Sequence, residues 1–277
     1  MRPTPAARIL RRRVTQLDAV SVPAPAPAAG AGTDAGALLR HFTSVMTLWT
    51  EPEMTALAGG PAVVDPDEAD AAVEECLLLR HLAREEPGIV RGPLERTRQH
   101  WIGTGPHELA PSRRPGLSRE RFRAPGAGPV PPSTKPFHVG LYTSTAWRGG
   151  GGGGGGTSMW RMYLDQGSSL HPLPWHTWEL RVTDPAAEVL EIGDASAWAA
   201  FVGRYPLVHD GSVFPDWRAV AREYAGVHMT LRAIAATQGF GVRVAGGVAA
   251  APYWDVESVL WLRWVFAGVR LVGVAVG

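Results

Sequence analysis

The sequence predicts an α+β fold, with helices towards the N-terminus and a mainly antiparallel or split β-sheet in the C-terminal half. Apolar residues follow a helical spacing mainly between residues 34 and 86, whereas short β-type runs succeed one another after residue 137. Strands and helices mix there without a regular repeat, and the last two strand candidates are close enough to form a hairpin. These observations disfavour a doubly wound parallel sheet.

The composition divides the chain into four segments. Alternating proline and alanine near residue 25 favour an extended or flexible arm, and a later stretch rich in proline and arginine favours irregular structure. The predicted segments are a flexible arm at 1–33, a helical region at 34–102, a connecting segment at 103–136 and a β-rich domain at 137–277.

Two helices are predicted in the helical region. Leu38, Phe42 and Val45 are spaced as on one face of a helix that ends near residue 49. A second helix is expected from Pro66 to about residue 86, because acidic residues come first and basic residues last, as the helix dipole prefers. We expect the two helices to pack together, and they could also bind a protein partner.

The C-terminal half contains seven strand candidates and three shorter helices. The strand candidates cover residues 137–143, 175–183, 189–192, 227–230, 241–245, 256–266 and 269–276. The helices are expected at 195–203, 215–224 and 231–238. Gly149–Gly156 is an uninterrupted glycine run, which defines no phosphate-binding geometry, so we interpret it as a flexible loop.

Charge and composition exclude several classes of protein. The 277 residues include 27 basic and 26 acidic side chains, so no global field favours nucleic acid. No apolar run is long enough for a transmembrane helix, and we expect a cytoplasmic protein without a membrane partner. Cys76, the single cysteine, cannot form an intramolecular disulfide and is expected to be a buried thiol. The sequence predicts no metal site, since none of the common metal or hydrolase motifs is present.

Lys135 is the only lysine among the 27 basic residues. The preference for arginine, with abundant alanine, glycine and proline, is typical of a GC-rich genome such as that of an actinobacterium. A lysine-dependent mechanism would have to use Lys135, which lies between Thr134 and Pro136 in an expected loop, and the sequence does not favour one.

Asp255 and Glu257 carry the clearest chemical signal of the sequence. They stand two residues apart in an apolar alternation, which would place both carboxylates on one face of a strand. One interpretation is structural, with Glu257 paired to Arg263 or placed at a solvated strand end. The other is catalytic, with a carboxylate that acts as a general base or stabilises a developing cation.

The stretch before the glycine run presents a second group of polar side chains. On a strand, His138 and Tyr142 would share one face on either side of Gly140 and form a shelf for a flat ring or a sugar. Thr143, Ser144 and Thr145 could bind an oxyanion at the strand end. The alternative is that these are ordinary strand residues followed by a turn.

Three of these segments together resemble the ADP-ribosyltransferase-like superfold, over about residues 137–266. The segments are Leu141–Thr145, Val227–Thr230 and Asp255-Val256-Glu257. The resemblance implies a split antiparallel sheet that holds NAD as a co-substrate in its cleft. It also implies cleavage of the bond between nicotinamide and ribose, by hydrolysis or by ADP-ribosyl transfer.

The resemblance also assigns roles to individual residues. Thr143–Thr145 match the hydroxyl motif of the nicotinamide pocket, and Tyr142 would stack on nicotinamide. Glu257 matches the second acid of the Glu-x-Glu-like motif, which stabilises the ribosyl cation, with Asp255 at the first position. No arginine stands on an expected strand before Thr143, where the arginine-type branch has its phosphate-binding arginine, so Arg161, after the motif, is taken as a binding residue.

Two other function classes remain open. The chain could be a tailoring enzyme of natural-product biosynthesis, with His138, Asp255 or Glu257 as the base of an elimination, cyclisation or group transfer on a small-molecule substrate. It could instead be a non-catalytic binding module, because eleven tryptophans can supply stacking surfaces for sugars or bases. His171 and His176 are not spaced to share a metal ion.

Overall fold

The computed structural model describes most of the chain, with gaps. The described residues are 4–20, 35–49, 62–104, 117–137, 139–147, 157–167 and 171–276. The candidate His138 and the glycine run Gly149–Gly156 lie outside them.

The described part of the chain contains nine α-helices, many of which begin at a side-chain cap. Asp65, Asp194, Asp216 and Thr230 each accept a hydrogen bond from a backbone N–H in the first turn of the helix that follows. The helices are α1 (Pro5–Asp18), α2 (Ala35–Met46), α3 (Pro66–Glu74), α4 (Leu77–Glu85), α5 (Pro87–Val90), α6 (Met159–Leu164), α7 (Ala195–Arg204), α8 (Trp217–Glu223) and α9 (Leu231–Thr237).

Twelve strands in the described residues form two mixed sheets, which confirms the α+β class. The strands are β1 (Val63–Val64), β2 (Gln99–Thr104), β3 (Leu141–Thr145), β4 (Trp175–Val182), β5 (Val189–Ile192), β6 (Pro206–His209), β7 (Ser212–Pro215), β8 (Gly226–Met229), β9 (Gly241–Val244), β10 (Gly247–Ala249), β11 (Ser258–Trp261) and β12 (Phe266–Ala275).

The larger sheet has seven strands in the order β12-β4-β2-β3-β11-β8-β5. Every neighbouring pair is antiparallel except β5 and β8, which are parallel. The smaller sheet has the order β1-β9-β10-β7-β6 and contains two parallel pairs. The larger sheet therefore agrees with the mainly antiparallel prediction, apart from one edge.

One continuous core joins the N-terminal helices to the sheets. Leu10 of α1 and Phe42 of α2 belong to the same cluster of buried apolar residues as Trp254 and Leu260. Burial of this apolar surface is the main source of stability for such a fold. The apolar faces of α1 and α2 are accordingly packed inside the molecule.

The prediction of a flexible arm is wrong for residues 5–18, which form α1. Thr4 caps this helix, and the guanidinium of Arg13, fully buried, donates hydrogen bonds to the carbonyl oxygens of Ala235 and Gln238 at 2.8 and 2.6 Å. These carbonyls lie at the C-terminal end of α9, where a cation is favoured. Burial of a single arginine thus fixes a segment whose composition suggested a linker.

The second predicted helix is divided into α3 and α4 at Cys76. The carboxylate of Asp18 accepts hydrogen bonds from the backbone N–H of Leu78, at 3.0 Å, and from the Cys76 thiol, at 3.3 Å. In a continuous helix that N–H would bond to the carbonyl of Glu74. Cys76 is buried and unpaired with another cysteine, as predicted.

The predicted hairpin of the last two strands is wrong. β11 lies between β3 and β8, and β12 pairs along its length with β4 at the edge of the sheet. The chain leaves β11 because the N–H groups of Leu262 and Arg263 both bond to the carbonyl of Ala225. The strand β2 was missed, although it is central in the larger sheet.

Candidate functional site

The larger sheet splits between β2 and β3. These strands pair only through Gln99 with Thr145 and His100 with Ser144. Farther along, β2 stays paired with β4 as far as Thr104, whereas β3 stays paired with β11. Both diverging strands line a cavity of about 720 Å³, a volume within the range of small-molecule sites. We call it the split-sheet cavity.

The split-sheet cavity combines positive charge with aromatic rings. The basic residues in its lining are Arg121, Arg123, Lys135 and His171. The aromatic residues are Trp101, Phe137, Tyr142 and Trp160. Among the described lining residues none is aspartate or glutamate. Such a lining favours a ligand that carries negative charge and a flat ring.

A backbone contact brings the connecting segment to the cavity. The N–H of Gly140 donates a 2.6 Å hydrogen bond to the carbonyl of Arg123. Gly140 has a φ of +70°, and a Cβ there would lie 2.4 Å from the carbonyl oxygen of Trp261. Only glycine suits this position, where the chain enters β3. The contact places Arg121 and Arg123 beside the diverging strands.

Trp160 is positioned by two serines. Ser158 caps α6, and the Oγ of Ser144 on β3 accepts a hydrogen bond from the backbone N–H of Trp160 at 3.0 Å. The indole stacks on Tyr163, with 5.1 Å between ring centroids, and meets His171 edge to face at 5.3 Å. The ring is thus held at the cavity before any ligand is bound.

Lys135 lies at the same cavity in a largely apolar setting. Its ammonium donates a 3.1 Å hydrogen bond to the carbonyl of Trp254 and stands 3.7 Å from the carboxylate of Asp255. It also lies 5.6 Å from the ring centroids of both Tyr142 and Trp160. Only 12% of its side chain is exposed.

Burial shifts the pKa values of three groups at the cavity. It lowers the pKa of Lys135, an effect that the negative charge of Asp255 offsets only in part. Burial and the nearby charge of Lys135 lower the pKa of His171. Burial raises the pKa of the Tyr142 phenol well above its usual value. Tyr142 therefore stays neutral, and its hydroxyl donates to the carbonyl of Pro136.

Glu257 is at the centre of a buried hydrogen-bond network at the closed end of the split. One carboxylate oxygen accepts from the backbone N–H of Thr145 at 2.9 Å, and the other accepts from the Thr145 hydroxyl at 2.8 Å. His228 lies 3.0 Å from Glu257 through Nε2 and 2.5 Å from Glu191 through Nδ1. The three groups form a carboxylate–imidazole–carboxylate series.

The network continues to the split-sheet cavity through Gln99. The Gln99 amide donates to the Thr145 hydroxyl at 3.0 Å and accepts from the Thr143 hydroxyl at 2.5 Å. The indole of Trp261 donates to the same Thr143 oxygen at 2.8 Å. Thr143 lines the cavity, so the polar chain runs from the cavity to the buried acid.

The two carboxylates keep His228 protonated. Burial would lower its pKa, but the hydrogen bonds and charges of Glu191 and Glu257 outweigh burial and raise the pKa to about 9. For Glu191, burial favours the neutral acid, yet the contact with His228 outweighs it and lowers the pKa. The imidazolium thus supplies one positive charge between the two carboxylates.

Of the predicted hydroxyl and ring residues, two reach the cavity. Tyr142 and Thr143 line it, whereas His138, the other residue of the predicted shelf, lies outside the described residues. Ser144 and Thr145 are fully buried, and their side chains support Trp160 and Glu257. Of the three hydroxyl residues, Thr143 therefore lines the cavity, whereas Ser144 and Thr145 hold neighbouring residues in place.

The prediction that Asp255 and Glu257 share a strand face is wrong. Asp255 has a φ of +63° and lies before β11, where Gln238 bonds its backbone and side chain. Glu257 points into the buried network. The expected pairing of Glu257 with Arg263 is also wrong, because Arg263 bonds the carbonyls of Glu223 and Tyr224 at the surface.

Arg161 lies away from the split-sheet cavity. It pairs with Asp165 at 2.8 Å and lies over the ring of Trp175, beside a second cavity of about 290 Å³. In the structure it is not among the residues that line the larger cavity with Tyr142.

Sequence reasoning missed several residues of the site. His228 was noted only as part of a strand, and Gln99 and Glu191 were not singled out. Their roles depend on register: His228 stands opposite both Val259 of β11 and Glu191 of β5. The sequence could have indicated Lys135 as a site residue, because it is the only lysine of the chain.

Within the described ranges, no three His, Cys, Asp or Glu side chains are grouped to hold a metal ion. An anionic cofactor would find its counter-charges at Arg121, Arg123 and Lys135.

Comparison with known proteins gives no relative: no family model, no curated protein and no solved structure matches the chain. In the part of the chain that is described, no helix has the length and apolar character to cross a membrane.

Proposed function

We propose that the split-sheet cavity binds a small anionic molecule with a flat ring, and that a nucleotide such as NAD is the specific candidate. The observation that carries this proposal is the lining of the cavity, in which cationic and aromatic side chains occur together and none of the described lining residues is an aspartate or glutamate. Arginine binds phosphate or carboxylate in a fixed geometry, and aromatic rings stack on planar ligands.

The rigidity of the site supports binding. Trp160 is held by Ser144 and stacked on Tyr163, and Tyr142 is packed edge to face on Trp254. Rings that are already fixed lose little conformational entropy when a ligand stacks on them.

NAD suits this lining because it combines two phosphates with two planar bases. The divergence of β2 and β3 supports this candidate, because the ADP-ribosyltransferase-like resemblance implies a split sheet that holds NAD in its cleft.

NAD cleavage is the second candidate. It is favoured by the direct contact between the hydroxyl segment and the acid, in which Thr145 holds both oxygens of Glu257. The carboxylate does not line the cavity, and it is paired with a protonated His228. Cleavage by Glu257 therefore requires that its carboxylate turn from His228 towards the ligand.

Binding is tested by calorimetric titration with NAD, AMP and adenosine, which is the uncharged nucleoside of AMP. We expect NAD and AMP to bind and adenosine to bind at least about tenfold more weakly, because it lacks the phosphate. The variant Arg123→Gln should weaken AMP binding by about tenfold. Arg218→Gln, an exposed arginine on α8, is the matched control and should leave binding unchanged. Equal affinity for AMP and adenosine would refute the proposal.

Cleavage is tested by following nicotinamide release by mass spectrometry for the parent and for Glu257→Gln. Release by the parent and not by the variant supports the second candidate. If NAD binds but stays intact, the protein is a nucleotide-binding protein or acts on another ligand. A parallel incubation with a cell metabolite extract then tests the tailoring hypothesis, because a tailoring enzyme changes the mass of another metabolite.

A further inference from the structure

Lys135 occupies a position that arginine could fill if only charge were required. The chain uses arginine for every other strongly basic residue. An arginine pairs with a carboxylate and stacks on aromatic rings at least as well as a lysine does. What lysine adds is a compact amine that can lose its proton and attack a carbonyl carbon.

The backbone around Lys135 is fixed by two buried tryptophans. The indole of Trp217 donates to the carbonyl of Ser133 at 2.7 Å, and the indole of Trp254 donates to the carbonyl of Thr134 at 3.2 Å. Both tryptophans are almost completely buried. The lysine is therefore presented to the split-sheet cavity from a rigid loop, as a functional side chain requires.

Asp255 is held beside the lysine in an unfavourable backbone conformation. Its φ of +63° is uncommon for a residue other than glycine. Gln238 stabilises it by accepting the Asp255 N–H at 2.7 Å and donating to one carboxylate oxygen at 3.2 Å. The other oxygen faces the ammonium at 3.7 Å. Backbone strain of this kind is found preferentially at functional sites.

We propose that Lys135 forms an imine with an aldehyde or ketone that also carries a phosphate or carboxylate and is bound in the split-sheet cavity. This inference rests on the proposed function, since the same cationic and aromatic lining would bind the anionic ligand. Arg121 and Arg123 hold the anion, and Trp160 stacks on any ring.

The chemistry balances without a further reactant. The amine nitrogen forms a bond to the carbonyl carbon, and the carbon–oxygen double bond is lost as the oxygen departs. Two of the three ammonium protons leave with that oxygen as water, and the third remains on the iminium nitrogen. The carboxylate of Asp255 stabilises the resulting positive charge. Because burial lowers the pKa of Lys135, more of the amine is neutral and nucleophilic at neutral pH.

The test uses pyridoxal 5′-phosphate as a probe, because it combines an aldehyde, a flat ring and a phosphate. The full-length protein is incubated with the probe, reduced with borohydride and digested, and the modified peptide is identified by mass spectrometry. We expect one stable adduct, on the peptide that contains Lys135. A parallel reaction with glyoxylate, an aldehyde that carries a carboxylate, shows which of the two anions the cavity accepts. Pyridoxal, which lacks the phosphate, should give at least about tenfold less adduct than its phosphate.

Two controls separate the possible results. Lys135→Arg keeps the charge and should lose the adduct, whereas Arg218→Gln, at an exposed position of α8, should keep both the adduct and AMP binding. Modification of the N-terminal amine alone, or equal labelling by pyridoxal and its phosphate, overturns the imine proposal. If AMP binds but Lys135 is not trapped, this inference fails and the proposed function stands; if neither occurs, both fail.

Discussion

The Nε2 atom of His228 lies 3.0 Å from a carboxylate oxygen of Glu257, and both side chains are completely excluded from solvent. Their contact joins β8 to the entry of β11 beneath the closed end of the split-sheet cavity. A buried charge is tolerated only when it is paired and hydrogen-bonded. The pair therefore links the stability of the sheet to the charge state of His228.

The first prediction concerns the pH dependence of stability. The pKa of His228 is about 9 in the folded protein and about 6.5 when unfolded. A raised folded pKa contributes stability that is complete below pH 6.5 and is lost as the pH rises through 9. Between these values the free energy of unfolding should fall by up to about 1.4 kcal/mol per pH unit.

Urea unfolding of the parent from about pH 6 to about pH 9.5 measures this slope. In His228→Gln the slope over this interval should be smaller, since that group no longer titrates. A parent whose stability is constant from pH 6.5 to 9 would contradict a protonated His228.

The second prediction concerns Glu257→Gln. The substitution keeps the shape of the side chain but removes the charge that stabilises the imidazolium of His228. We expect a loss of about 2–4 kcal/mol in the free energy of unfolding, because the imidazolium loses one of its two carboxylate partners and the buried hydrogen bonds from Thr145 lose their charged acceptor. Part of the loss is offset because His228 still contacts Glu191.

The control for this variant is Glu223→Gln at the surface. Glu223 pairs with Arg204, and both side chains are about half exposed. Removing this pair should change stability by less than about 1 kcal/mol. Similar losses of unfolding free energy for the two variants would contradict a larger contribution from the buried pair of Glu257 and His228.

The third prediction concerns Gly140. An alanine there would combine a φ of +70° with a Cβ only 2.4 Å from the Trp261 carbonyl oxygen. We expect Gly140→Ala to cost more than about 3 kcal/mol, measured by urea unfolding, because backbone has to move as well.

Gly211 separates conformational strain from the steric clash. It has a φ of +77° in the turn between β6 and β7, and a Cβ there would meet nothing within 4 Å. Gly211→Ala should therefore cost only about 1 kcal/mol. If Gly140→Ala lowers the free energy of unfolding no more than Gly211→Ala does, a Cβ at position 140 does not clash with the Trp261 carbonyl.

The sequence predicted the local elements better than their pairing. Helices such as α7 and α9 were found because their apolar spacing and caps are local signals. The hairpin of β11 and β12 was predicted wrongly because strand order depends on distant contacts, here the bonds of Leu262 and Arg263 to Ala225. The partner of Glu257 was missed for the same reason, since His228 becomes its neighbour only through the register of β8 with β11.

Asp255→Asn is the last prediction, and it concerns the reactivity of Lys135. Asparagine tolerates a positive φ, so the turn before β11 should persist with its hydrogen bonds to Gln238. The negative charge of Asp255 raises the pKa of Lys135 against the effect of burial. Its removal should lower that pKa and move the midpoint of the pH profile for imine formation to lower pH. Trapping rates with pyridoxal 5′-phosphate measured across pH give this midpoint, and an unchanged or higher midpoint would show that Asp255 does not control the amine.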